Sequence, residues 1–275
     1  MKNKFFSRLL FVIFIYLSSY VCFSVNNDTI NMLQEEYEVL ETSRGEYDTR
    51  ADSWLNAARE DALAITKPEI FISLGMNCAC AINFERRKLS EAFFPFDWNI
   101  TQPDSIYRIL ENDFKDFLKI ENLVLQKQEN LDLKPAHHPW HKAYHVLDKL
   151  YNIRIMHDFT KKGPPLHDYE HVKDKYYRRV ARFYHALTLK KLVYFFRTII
   201  TKQEALKLNN LIKKKFPKLK YTLVVINNTP EFKEPWKIKN IKNFFLKNAA
   251  NYEETKEWDV VFKALKMSKN VNKPL

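Results

Sequence analysis

Apolar positions along this chain fall into short unbroken runs separated by segments with helical spacing, and that alternation predicts an α/β domain. Residues 69–74 (EIFISL) form a β-rich apolar run; after Gly75, the spacing over Asn77–Lys88 predicts a helix. Ile106, Ile109, Leu110, Phe114 and Phe117 recur at helical intervals and predict a second helix over Asp104–Leu118. Glu121–Trp140 is polar and contains proline, so it reads as a loop, and Tyr144–Tyr151 reads as a short helix. Asn152–His157 (NIRIMH) predicts a strand with Ile153 and Ile155 on one face. Beyond it, His171–Leu187 predicts a helix, Lys191–Arg197 (KLVYFFR) a buried strand and Thr201–Lys215 a helix. Tyr221–Asn227 (YTLVVIN) predicts a strand, and Ile238–Lys247 a final strand or short helix. Strands separated by helices imply a mostly parallel sheet with helices on both faces, a Rossmann-like three-layer α/β arrangement.

Upstream the pattern changes. Ile30, Leu33, Tyr37 and Leu40 recur at helical spacing, and a second helix over Ala51–Ile65 stops before Lys67-Pro68, as the restriction on the residue preceding proline requires. Lys2, Lys4 and Arg8 precede Leu9–Phe23, an uncharged run with the length of a signal-peptide core and shorter than an ordinary spanning helix needs. The expected organisation is therefore a signal peptide or signal anchor over residues 1–24, a helical stem over 25–67 and an α/β domain over 68–275. The domain is expected to be secreted, or held outside the cytoplasm by membrane attachment through residues 9–23.

Composition sharpens this picture in three places. Only three of the 275 residues are glycine, so Gly75, just ahead of a cysteine, is a pointed use of a rare residue. The formal charge of +12 includes a run at Lys213–Lys215 followed by Lys218 and Lys220. No aromatic–basic alternation accompanies that run, so it reads as a solvated helix end and no specific nucleic-acid binding is expected. Of three cysteines, Cys22 lies in the targeting segment, while Cys78 and Cys80 are too close in sequence to bridge each other within regular structure. Free thiols in an exported domain call for a reason, and catalysis is one.

Candidate chemistry centres on Cys78. Strand, glycine and helix in that order place it at a helix N-terminus, where amide groups and the helix dipole favour a thiolate. Gly75 opens the turn, and Asn77 offers a side-chain donor for an oxyanion. Cys80 suits the role of a small buried apolar residue. His157, at the end of the predicted NIRIMH strand, is the candidate base, with Asp158 or Asp97 as the carboxylate that orients it. Because ligands collect at the carboxyl ends of parallel strands, Cys78 and His157 are expected to face one pocket. Arg178 and Arg182, four apart on a helix, and Arg197, ending a strand, are candidates to grip a carboxylate or phosphate. His137, His138, His141 and His145 form a cluster without the glutamate of a zinc-protease motif. It reads as an exposed polar loop; neither a metal nor a cofactor is expected.

SLGMNC (Ser73–Cys78), FPFDW (Phe94–Trp98), HDF (His157–Phe159), YRRVARF (Tyr177–Phe183) and VYFFR (Val193–Arg197) occur in that order. Together they resemble a family of papain-like cysteine peptidases, a domain family of otherwise unknown function, over roughly Glu69 to Asn227. The resemblance implies Cys78 and His157 as a catalytic pair. The function expected is thus a thiol hydrolase or acyltransferase acting on an amide or ester, its peptide, acyl or glycan substrate undefined. Two other classes stay open: a glycan-processing or glycosyltransferase-like enzyme, and a non-catalytic module that binds an anionic partner.

Overall fold

The computed structural model describes residues 65–127, 142–189, 191–251 and 256–265. The expected signal segment and nearly all of the expected stem, together with His137, His138 and His141, lie outside the described residues. Among the described residues, eight strands and five α-helices follow one another as β1 (Glu69–Ser73), α1 (Ala79–Arg86), β2 (Asn99–Thr101), α2 (Pro103–Glu111), β3 (Leu123–Leu125), β4 (Ala143–Asp148), β5 (Ile153–Thr160), α3 (Tyr169–Thr188), β6 (Leu192–Thr198), α4 (Lys202–Lys215), β7 (Tyr221–Asn227), β8 (Ile241–Phe245) and α5 (Trp258–Ala264).

The strands form two sheets. β1, β6, β7 and β8 lie side by side in that order, all parallel. Their residues alternate strictly between two cores, as the two-residue strand period dictates. Ile70, Ile72, Val193, Phe195, Leu223 and Val225 face a core shared with Phe183 of α3 and Leu208 and Ile212 of α4. Phe71, Tyr194, Phe196, Val224 and Ile226 face the opposite core, built with Phe84 of α1 and Trp258, Val261 and Phe262 of α5. A parallel sheet covered by helices on both faces is thus present. Its order runs without reversal, so it lacks the crevice that a Rossmann-type doubly wound sheet opens where strand order switches.

The second sheet corrects the sequence expectation. β2, β5, β4 and β3 form an antiparallel sheet in that order, so the NIRIMH strand is not a neighbour of β1. Tyr144–Tyr151, expected to be helical, holds most of β4, which pairs with β5 through a tight hairpin. That turn contains no glycine; Asn152 takes the left-handed conformation (φ 55°), and the Asp148 carboxylate accepts hydrogen bonds from the Leu118 and Tyr151 amides (2.8 and 3.1 Å). The expected helix over Asp104–Leu118 ends at Glu111. Asp113, Phe114, Asp116 and Leu118 all have positive φ and wind the chain into turns, with Phe114 and Phe117 still buried. Their spacing reflected burial rather than helix. The expected loop over Glu121–Trp140 contains the short edge strand β3, and α5 was not anticipated.

One buried cation ties the sheets together. Arg197, 1% exposed, donates from Nη1 to the Leu74 carbonyl (2.9 Å) and to Thr101 Oγ1 (2.6 Å), and from Nη2 to the Thr101 carbonyl (2.8 Å). Leu74 directly follows β1 and Thr101 ends β2, so one guanidinium from β6 joins the edge of each sheet. Burial lowers its pKa to about 10, still far above neutrality. Replacing it leaves two buried carbonyls short of a donor. Arg197→Met is expected to cost about 3 kcal/mol of unfolding free energy, read as a lower urea midpoint with an unchanged denaturant slope.

Candidate active site

The segment ahead of α1 is built by its backbone. Gly75 has φ 78°, and a side-chain carbon there would lie 2.3 Å from Thr101 Oγ1, so only glycine fits. Met76 also has positive φ (82°) and is held by donation of its amide to Thr101 Oγ1 (2.9 Å). Asn77 Oδ1 accepts from the Ala79 amide (2.9 Å), which starts the helix, while Asn77 Nδ2 donates to the Ala250 carbonyl (2.8 Å). That side-chain donor is therefore committed to the fold in this state. Cys78 is the N-cap residue of α1 and is half-buried.

The two thiols differ sharply. Cys80 is fully buried, hydrogen-bonded to the Ser73 side chain, and burial pushes its pKa up to about 12. Burial also raises the Cys78 pKa above the ordinary thiol range, and the opposing pull of its own amide does not cancel that effect. The expected thiolate is thus not the resting form. α1 is only eight residues long, and Asn77 already engages the amide of its first residue.

His157 lies within β5 rather than at its end. Tyr144 pairs with Phe159 and Val146 with Ile155, so three residues of β5, Met156, His157 and Asp158, stand opposite His145 alone. Such a bulge re-aims side chains. The half-buried His157 ring packs edge-on against Trp98, with centroids 6.3 Å apart. His145, expected in an exposed loop, is buried in β4. Burial foremost, with His157, Lys161 and Arg154, lowers its pKa to about 4, so it is neutral at pH 7.

The two candidate carboxylates have opposite characters. Asp158 is engaged by Lys175 and by the Tyr176 hydroxyl (2.6 Å), which also lies 2.8 Å from Asn99 Oδ1. Burial alone would raise its pKa, but Lys175, Arg179 and the Tyr176 hydroxyl outweigh it and hold the carboxyl below its usual range. Asp97 is 3% exposed and accepts from the Phe94 amide (2.6 Å). Burial raises its pKa to about 7 despite Arg179 and Arg182.

Gly75, Met76 and Arg197 are therefore gathered around Thr101, at one end of β2, with Asn77 and Cys78 next along the chain. His157 packs on Trp98, which immediately precedes the other end. The two groups attach to the same short segment, about 10 Å of extended backbone apart. Arg182 Nη1 donates to the Phe93 carbonyl (2.5 Å), and Arg178 is half-buried on α3. Sequence reasoning passed over the arginine between them. Arg179 is 6% exposed and belongs to the inward stripe Val172, Tyr176, Arg179, Phe183 and Ala186, whose alternating spacing of four and three marks a buried helix face. That stripe was the signal; the four-residue pairing of Arg178 with Arg182 concealed it.

A half-buried thiol heading a helix and an antiparallel sheet that carries an imidazole are the chemistry-bearing features of this mixed α/β domain. A family model described as "putative papain-like cysteine peptidase" matches residues 69–230, from β1 past β7, and the chain belongs to that family. It is also similar to "Uncharacterized protein R408" of Acanthamoeba polyphaga mimivirus, with 31% identity over 138 residues that cover 46% of this chain and 60% of the relative. The match thus spans less than two thirds of the relative's length. No solved structure matches. Among the described residues, no helix is long and apolar enough to cross a membrane.

The Asp97 carboxyl makes stability depend on pH with a definite sign. An unfolded aspartate titrates near 4 and Asp97 near 7. Between those values the native state binds more protons, so stability falls as pH rises. His145 acts oppositely, since its native pKa near 4 lies below the unfolded value of about 6.5. Asp97→Asn, which keeps an acceptor for the Phe94 amide, should remove the first slope. Urea midpoints of the variant from pH 4.5 to 7.5 should then climb more steeply with pH than those of the wild type.

Proposed function

We propose that this domain is a thiol hydrolase acting on an amide or ester carbonyl, with Cys78 as nucleophile and His157 as base. Cys78 carries the proposal: it is only half-buried, at a helix start behind two left-handed residues, whereas Cys80 is sealed inside the core. Because the resting Cys78 is a thiol, His157 takes its proton during attack rather than in a preformed ion pair. Sulfur bonds to the carbonyl carbon, the electron pair moves to oxygen, and the Cys78 amide is the backbone donor offered to that oxyanion. Collapse expels the amine or alcohol, which takes the proton from His157, and water then cleaves the thioester. Acyl transfer is the same sequence with another nucleophile in place of water. Asp158 fixes the bulge that presents His157, and Asp97 is the carboxyl available to orient the ring.

Attack requires imidazole and thiol to come together across β2, beside the turn that presents the sulfur. Gly75 shapes that turn, and Arg178 and Arg182 border the α3 side where substrate would lie. A peptide, acyl or glycan substrate is compatible with this chemistry, as is export or membrane attachment through residues 9–23. The glycosyltransferase-like reading draws less support, since Arg197 is used between the sheets and Arg182 holds the Phe93 carbonyl.

Iodoacetamide labelling followed by mass spectrometry tests the nucleophile. Cys78 should react well before Cys80, at a rate that climbs as pH passes above the ordinary thiol range. Turnover of a p-nitrophenyl ester should fall at least about a thousandfold in Cys78→Ser with an unchanged urea midpoint, and His157→Gln should cut it by a comparable factor. Equal labelling of both thiols, or full activity in Cys78→Ser, overturns the proposal.

A further inference from the structure

The arginine missed in the sequence stands in the buried stripe of α3. Its Nη1 is buried without a hydrogen-bond partner, although guanidinium groups removed from water are normally satisfied. The Arg179 guanidinium lies over the Tyr176 ring (5.2 Å) and the Phe93 ring (5.9 Å). Phe93 is 39% exposed and meets Trp98 with centroids 6.0 Å apart; Trp98 in turn meets His157 at 6.3 Å. A line of rings thus leads from an unsatisfied cation to the candidate base.

The nearby acids do not use that cation up. Asp158 directs its oxygens to Lys175 and Tyr176, and Asp97 accepts from the Phe94 amide. Both feel the Arg179 charge without a hydrogen bond to it. Lys175 and Arg182 lie on the same helix, and the negative charges in this region come from the ionised Asp158 and from Glu85. The region therefore offers a buried guanidinium donor without a partner, beside flat apolar rings.

We propose that Arg179, Phe93 and Trp98 form a subsite for a planar carboxylate carried by the substrate. The carboxylate accepts from Arg179, and the group that bears it lies along the two rings, which directs the reacting carbonyl toward His157. A guanidinium matches a flat carboxylate through parallel donors, and flat rings favour a flat group over a tetrahedral one. The assignment rests on the thiol-hydrolase reading only in making the carboxylate part of a substrate; the binding itself does not need Cys78.

The test uses fluorine NMR of 4-fluorobenzoate and its neutral isostere 4-fluorobenzamide with the full chain. Benzoate should bind about tenfold or more tightly than the amide, the difference expected for a hydrogen bond to a charged group. Arg179→Gln should erase that preference, and Arg179→Lys should restore only part of it. Phe93→Ala, at an exposed position, should weaken both probes without lowering the urea midpoint. Cys78→Ser should bind benzoate normally, so failure of the nucleophile assignment and failure of this subsite give different results. Equal binding of benzoate and benzamide, indifference to Arg179→Gln, or displacement by inorganic phosphate at matching concentration (an adventitious anion site only) would overturn the proposal.

Discussion

Arg197 and Thr101 meet where the two sheets meet, and the local geometry follows from that contact. The Thr101 hydroxyl accepts from Arg197 Nη1 and from the Met76 amide and lies 3.3 Å from the Leu74 carbonyl, which the same guanidinium also holds. β1 ends, the left-handed turn forms and β2 pairs with β5 under the constraint of one hydroxyl. A buried guanidinium is costly to desolvate. Here its Nη donors reach carbonyl and hydroxyl oxygens that would otherwise be stranded inside the protein, which is the condition under which such burial is tolerated. Gly75 follows from the same contact, since the closeness of Thr101 leaves no room for a side chain.

The second sheet supplies a different kind of control. Placing His157 in a bulge rather than in regular pairing separates it from the inward alternation of Ile153, Ile155 and Phe159. Its neighbour Asp158 is anchored to α3 through Lys175 and Tyr176, so the bulge is fastened from one side while the imidazole is left half-buried on Trp98. His145 across the bulge stays uncharged at neutral pH and adds no repulsion when His157 takes up a proton. Burial holds Cys78 as a thiol and brings Asp97 near neutrality, so Asp97 changes protonation within the physiological range while Cys78 does not.

How much of this was legible in the sequence depended on what each pattern encoded. β6, β7, α3 and α4 were readable because each combines a long apolar period with clear ends: the Thr201–Glu204 capping box starts α4, and KLVYFFR and YTLVVIN are buried on both faces. The antiparallel sheet was not readable, because its hairpin turns on Asn152 without the glycine that usually marks such turns. Phe114 and Phe117 mimicked a helix since burial spaced them so, while the backbone took left-handed turns that apolar residues seldom adopt. Gly75 and Cys78 were legible through glycine scarcity. The Cys78 protonation state was not, because burial by residues distant in sequence governs it.

Arg179 shows why spacing must be read together with burial. Lys175, Arg179 and Arg182 stand four and then three residues apart on α3, so all three look toward the β2–β5 side, yet each has a different fate. Lys175 neutralises Asp158, Arg182 binds a main-chain carbonyl, and Arg179 lies between rings with a donor left over. A helix that needed only packing at that position would carry leucine or methionine, which fill similar space without desolvating a charge. An arginine in the buried stripe, with its partners already committed elsewhere, is stable only if the charges around it and the exposed rim by Phe93 compensate its desolvation. The same imbalance that makes the residue expensive in the empty state makes it selective when a flat anion arrives.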